Sequence, residues 1–110
     1  SDYARCFEKG NLRWQPDFGY NSMFIATQQT WANNQLKSKG HLFLNDVYRA
    51  LGFEDTPAGA VTGGIDGGDG DDVVVFDIFD DHEAGSHFVN GAERSVWVDF
   101  NVDGVIYDKI

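Results

Sequence analysis

Polar and apolar positions alternate along this chain with two different periods, one in each half. From Tyr20 to Lys39 the residues Tyr20, Met23, Phe24, Thr27, Trp31 and Asn34 or Gln35 recur at helical spacing, which predicts a helix of about five turns. Asp17 stands where a cap is needed and Gly40 where the helix should stop. The aromatic stripe is assigned to the core, and Gln28, Gln29, Asn33 and Lys37 to the solvated face. His41 to Leu44 is a short apolar run. Asn45 is then placed to cap a second helix of about two turns from Asp46 to Leu51, closed by Gly52.

The second half changes period. Gly59 to Gly70 holds six glycines in twelve residues, so a long loop is expected, because that much glycine costs a helix or an interior strand too much backbone entropy. Val73 to Phe79 alternates as a strand, with Val74, Phe76 and Ile78 on one face and Val73, Val75, Asp77 and Phe79 on the other. Asp80 to Gly91 reads as a connection. A further strand runs from Ser95 to Asn101, with Val96, Val98 and Phe100 inward and Ser95, Trp97 and Asp99 outward. Asp103-Gly104 is a favoured turn pair, which predicts that Val105 to Tyr107 folds back on that strand. Helices first and strands afterwards predict an α+β domain, residues 1–110 forming one unit, in which one long and one short N-terminal helix pack on a C-terminal antiparallel sheet of three or four strands.

Composition adds a charge pattern. Between Arg49 and Arg94 there is no lysine or arginine, yet Ala50 to Glu93 holds eleven of the eighteen carboxylates. The first 49 residues carry +2, this middle stretch −11, and the last 17 residues −1, for a net charge of −10. Such a field repels phosphate backbones and anionic lipid, so direct nucleic-acid binding is disfavoured and a protein partner with a basic surface is expected. Helix-turn-helix fails on the same ground, since the segment after the second helix carries acids, a proline and no base. With 42% hydrophobic residues the chain has material for a core. Within these 110 residues no run of eighteen apolar residues and no signal-peptide pattern is visible, and the single Cys6 cannot form an internal disulfide.

Several motifs bear on chemistry. Gly67-Gly68-Asp69-Gly70-Asp71-Asp72-Val73-Val74-Val75 fits the calcium-binding nonapeptide of parallel β-rolls. Such repeats hold calcium between successive turns, and the preceding nine residues do not repeat the pattern, so half a site is present. Asp66, Asp69, Asp71 and Asp72 nevertheless form a candidate Ca²⁺ cluster, because adjacent carboxylates repel and a cation relieves them. His82-Glu83 and His87 approach a zinc-protease signature, but the histidines stand at i, i+5 and do not share a helical face. No nucleophile elbow surrounds any serine, Ser86 and His87 included, and Cys6 has no identifiable base. Asp77 and Asp99, on neighbouring strands, read as exposed strand aspartates before they read as an acid-base pair. No catalytic residue is assigned.

Tyr20-Asn21-Ser22-Met23-Phe24, Gly40 to Tyr48, Leu51-Gly52-Phe53 with Ala58-Gly59, Val89-Asn90-Gly91 and Asp99 to Asp108 together resemble an uncharacterised family of short proteins encoded by tailed bacteriophages and prophages of Gram-positive gut bacteria. Members of that family place a hydrophobic, membrane-inserted segment ahead of this portion. They carry Gly-Trp after the Ala-Gly motif, where this chain has Gly63-Gly64. The resemblance implies a phage or prophage protein acting in the host bacterial cell, in the cytoplasm, at the membrane or in the virion, and it supplies no catalytic residue. The expected function is a non-enzymatic, acidic protein-interaction domain. The alternatives are a DNA-mimic inhibitor of a host defence protein, which needs carboxylates on a rigid surface, and a calcium-stabilised binding module.

Overall fold

A computed structural model describes residues 1–68, 70, 72–80 and 95–110. In chain order the elements are strand β1 (Arg5–Phe7), helix α1 (Phe18–Lys39), strand β2 (His41–Phe43), helix α2 (Leu44–Ala50), a 3-10 turn at Ala58–Ala60, strands β3 (Thr62–Ile65), β4 (Phe76–Asp80), β5 (Val96–Phe100) and β6 (Gly104–Val105), and a 3-10 turn at Tyr107–Lys109. The arrangement is α+β, with two helices and two antiparallel three-stranded sheets, ordered β1-β5-β4 and β2-β3-β6.

Helix α1 starts and stops where local chemistry dictates. The Asp17 carboxylate accepts the Tyr20 N–H at 3.0 Å, satisfying one of the donors a helix leaves open at its start. Gly40 closes the helix at φ +81° with its N–H on the Leu36 carbonyl at 2.8 Å, a conformation that glycine adopts without a Cβ penalty.

Its faces are a correction. The buried residues are Asn21, Phe24, Ile25, Ala32 and Leu36, whereas Tyr20, Met23 and Trp31 are exposed. The buried face is therefore turned about a third of a turn from the expected one. Asn33 and Gln29, assigned to solvent, are half-buried against the segment leading into β4.

The core is threaded by aromatic rings. Phe24 of α1 stacks on Phe7 of β1, which meets Phe53 edge-on; Phe53 touches Tyr48 of α2, Tyr48 touches Phe100 of β5, and Phe100 touches Phe76 of β4, all with centroids 5.3 to 6.3 Å apart. Such pairs contribute about 0.5–1.5 kcal/mol each beyond the area they bury. Tyr48, fully buried, donates its hydroxyl proton to the Tyr3 carbonyl at 2.7 Å and lies under the Arg5 guanidinium. Burial raises its pKa above the ordinary value, against a smaller lowering by Arg5.

Four further expectations change. There are two sheets, one of which recruits β1 from the N-terminal segment, in place of one C-terminal sheet. The glycine-rich stretch is not all loop, because Thr62–Ile65 is the central strand of the second sheet. A Cβ at Gly63 would overlap the Leu42 carbonyl oxygen, so here glycine permits two backbones to approach. Val105 does not fold back on β5 but pairs with Thr62 of β3, since the Asp103 carboxylate takes the Ile65 N–H at 3.0 Å and the Asp103 N–H bonds the Gly63 carbonyl at 2.8 Å. Asn45 does not cap α2; the N-cap is Phe43, and the Asn45 carboxamide instead bonds both the N–H and the carbonyl of Thr56 at 2.9 Å.

Candidate functional site

The β1-β5-β4 sheet carries the arrangement with most chemical potential. On β5, Val96, Val98 and Phe100 are buried and Trp97 and Asp99 are half-buried, the period-2 pattern of a strand with one covered face. On β4, Phe76 is buried while Asp77, Ile78 and Phe79 are exposed, so the expected shared face of Phe76 and Ile78 is not covered as far as Ile78. The register sets Asp77 opposite Asp99 and Phe79 opposite Trp97, with Cys6 of β1 on the far side of Trp97. The outer face therefore has an apolar row, Cys6-Trp97-Phe79, beside an acidic row, Asp99-Asp77.

Like charges directly opposite on adjacent strands are destabilising, and no lysine or arginine lies within β4 or β5 to offset them. Asp99 accepts from the Ser1 amine at 2.8 Å, from the Ser1 hydroxyl at 2.5 Å and from the Phe100 N–H at 2.8 Å. Partial burial pushes its carboxyl upward, but these hydrogen bonds outweigh it and hold the pKa below the ordinary value. A carboxylate so held offers charge and an acceptor. It does not offer a proton at neutral pH.

The approach to β4 is built from carboxamides. Asn33 takes the Val74 N–H at 2.7 Å and gives its own N–H to the Val74 carbonyl at 2.9 Å. Asn101 does the same for the Val75 N–H and the Val73 carbonyl, at 2.7 and 2.8 Å, and Gln29 takes the Phe76 N–H at 2.8 Å. A carboxamide offers an acceptor oxygen and N–H donors, the two kinds of group a peptide unit offers, so these side chains replace a neighbouring strand where Val73 to Val75 precede the sheet. That is why the observed strand begins at Phe76 and not at Val73. Val75, Asp77, Asp99 and Asn101 line a shallow groove over this junction.

The predicted cation cluster is not gathered by the described residues. Asp66 pairs with Lys37 at 3.0 Å, and Asp72 accepts the Gly67 N–H at 2.9 Å. Asp69 and Asp71 lie outside the described residues, as do Asp81, His82, Glu83, Ser86, His87 and the Val89-Asn90-Gly91 motif. Among the described residues, no group of three or more His, Cys, Asp or Glu side chains converges as a metal site.

Charge segregation in sequence is also partly undone in space. Besides Lys37 and Asp66, Arg49 reaches Asp55 at 2.7 Å and Asp46 at 3.1 Å. The Asp55 pKa falls and the Arg49 pKa rises, chiefly through the hydrogen bonds between them. Two acids of the middle stretch are thus neutralised by bases from α1 and α2. Asp77 and Asp99 instead face each other, a juxtaposition that periodicity alone leaves open because strand register is not written locally.

Fold and face together define a small α+β domain with one sheet surface carrying paired aspartates and aromatic rings. A family described as "Family of unknown function (DUF6353)" matches residues 1–110, and the chain belongs to it. No curated protein matches the chain, and no solved structure does. Among the described residues, no helix is long and apolar enough to cross a membrane.

Proposed function

We propose that this chain is a non-enzymatic interaction domain that presents the outer face of the β1-β5-β4 sheet to a basic protein surface. The observation that carries this reading is the Asp77–Asp99 opposition. Two carboxylates held across a strand pair without a basic neighbour on either strand gain from an arriving guanidinium, which can bond carboxylates in a fork. The adjoining Trp97 and Phe79 rings supply cation–π and apolar contact, and aromatic residues of this kind are enriched at binding hot spots. In this reading both helices pack on the other side of the sheets and leave this surface for the partner.

The family resemblance supports an origin in a tailed phage or prophage and a place of action in the host bacterial cell, in the cytoplasm, at the membrane or in the virion. A DNA mimic would need a ladder of fixed carboxylates, and two opposed aspartates suit a protein side chain better.

Affinity capture from a lysate of a Gram-positive gut host tests the proposal. A partner should be retained at roughly 50 mM salt and released at roughly 500 mM. The double variant Asp77→Asn with Asp99→Asn should reduce capture at least tenfold while the fold persists by circular dichroism. Capture indifferent to salt, or unchanged in the double variant, would remove the basis of the proposal.

A further inference from the structure

Helix α1 carries a second surface that the proposed partner face does not use. From Phe18 to Leu36 it contains no charged residue, in a protein of net charge −10. Along its outer side run Tyr20, Met23, Thr27, Trp31, Asn34 and Ser38, all exposed, with Met23 at 73%, Tyr20 at 48% and Trp31 at 36%. The spacing is the one a helix uses for a contact stripe, yet nothing in the described chain covers it. Beside Trp31 the surface is hollowed, with Lys39, Asp46, Arg49 and Ala50 forming the remaining walls.

We infer that this stripe binds a second copy of the chain, the two α1 helices packing antiparallel about a two-fold axis at Thr27. Tyr20 lies seven residues before Thr27 and Asn34 seven after; Met23 lies four before and Trp31 four after. The axis therefore brings Met23 to the level of Trp31 of the second copy, and Tyr20 to the level of its Asn34. A thioether against an indole ring is a favourable contact, and the hollow beside Trp31 receives Met23, the most exposed of the stripe's large hydrophobic side chains. Thr27 is small enough at the crossing for the helices to approach.

Charge selects this occupant and this direction. Two copies at −10 repel through any acidic surface, whereas the stripe itself is uncharged and the hollow beside it sets Asp46 against Lys39 and Arg49. The antiparallel arrangement lays the helix start, with Asp17, over the helix end, where Lys39 stands beside the Lys37–Asp66 pair, and also opposes the two helix dipoles. Asp46, the carboxylate in the wall of the hollow, is already paired with Arg49 there. One helix stripe sits at the small end of specific interfaces, so the expected dissociation constant is on the order of ten micromolar.

Sedimentation velocity of the 110-residue chain from about 1 µM to about 1 mM is the test. Mass should rise from 12.2 kDa to twice that value. Met23→Glu and Trp31→Glu should each weaken association about tenfold or more, with helix content unchanged, while Leu12→Glu, at an exposed position off the stripe, should not. In a Cys6→Ser background, Thr27→Cys should give a disulfide-linked dimer under mild oxidation, a readout that survives if a glutamate variant fails to fold. Added salt should tighten self-association by screening the net charge, whereas it loosens a basic partner, so this inference and the proposed function fail separately. A chain monomeric throughout the range, a dimer indifferent to both glutamate variants, or a monomer that instead binds phosphatidylcholine vesicles through Trp31 would overturn it.

Discussion

The two sheets are stabilised in different ways. In β1-β5-β4 side chains fill the core, with Phe7, Val96, Val98, Phe100 and Phe76 turned inward, and β5 follows its alternation throughout while β4 leaves Ile78 exposed. In β2-β3-β6 the central strand reads Thr-Gly-Gly-Ile and has little side chain to bury, so what holds it is the close approach of its backbone to β2 and the Asp103 carboxylate on the Ile65 N–H. The first sheet depends on which side chains are present. The second depends on where they are missing. The outward face of the first is therefore free of the close backbone approach that leaves no room for a side chain at Gly63 in the second.

The strongest way to break the contrast is therefore at Gly63. Gly63→Ala places a methyl group against the Leu42 backbone, which cannot move without undoing β2–β3 pairing, and it should cost about 3 kcal/mol or more in urea unfolding. Gly64→Ala, one residue away, meets only the Asp103 carboxylate at 3.7 Å and should change stability by less than about 1 kcal/mol. If the two variants behave alike, close backbone approach is not what holds the second sheet.

An intermediate effect is expected where α1 substitutes for a strand. Asn33→Ala strips this partner from both the Val74 N–H and the Val74 carbonyl and should cost about 1–3 kcal/mol. The exposed neighbour Asn34→Ala should stay within about 0.5 kcal/mol. Equal midpoints in thermal unfolding would mean that solvent replaces the carboxamide without loss.

The smallest effect sharpens the account of the first sheet. Asp77→Asn removes one of two facing charges and should stabilise the free protein by a few tenths to about 1 kcal/mol, even as it weakens partner capture. Asp99 should answer to acid. Its folded pKa lies below the ordinary 3.8, so its stabilising contribution is present above about pH 4 and is lost as the pH falls through the folded value. Unfolding curves of the parent and of Asp99→Asn should accordingly converge as the pH falls below about 4; a gap that widens there would contradict the assignment.

Local chemistry was legible from the residues. Asp17 and Gly40 bound α1 as expected, and Val96, Val98 and Phe100 face inward as their alternation requires. The faces of α1 were not legible, because its outer stripe is at least as aromatic as its buried one. Burial there follows from what Phe7, Tyr48 and the β4 approach present to the helix. The carboxamide contacts of Asn33, Asn45 and Asn101 were hidden for a similar reason: each joins segments 11 to 41 residues apart, and a polar residue reads the same whether it meets water or a distant peptide group. The acidic row followed the same course, since Asp77 and Asp99 could be assigned to strands from their neighbours but not to one register.

What the amino-acid order settled by itself is everything carried by contacts a few residues apart: helix ends, strand alternation, overall charge and its bias toward the middle of the chain. Tertiary structure alone decided which stripe of α1 is buried, that a glycine-rich stretch is a central strand, that Gly104-Val105 joins β3 rather than β5, and that Lys37 and Arg49 neutralise two acids while Asp77 is set opposite an Asp99 held by the Ser1 amine. The reason is physical. Pairing register, backbone approach and the meeting of distant charges are properties of two segments at once, and their energies exist only after the chain has closed the loop between them.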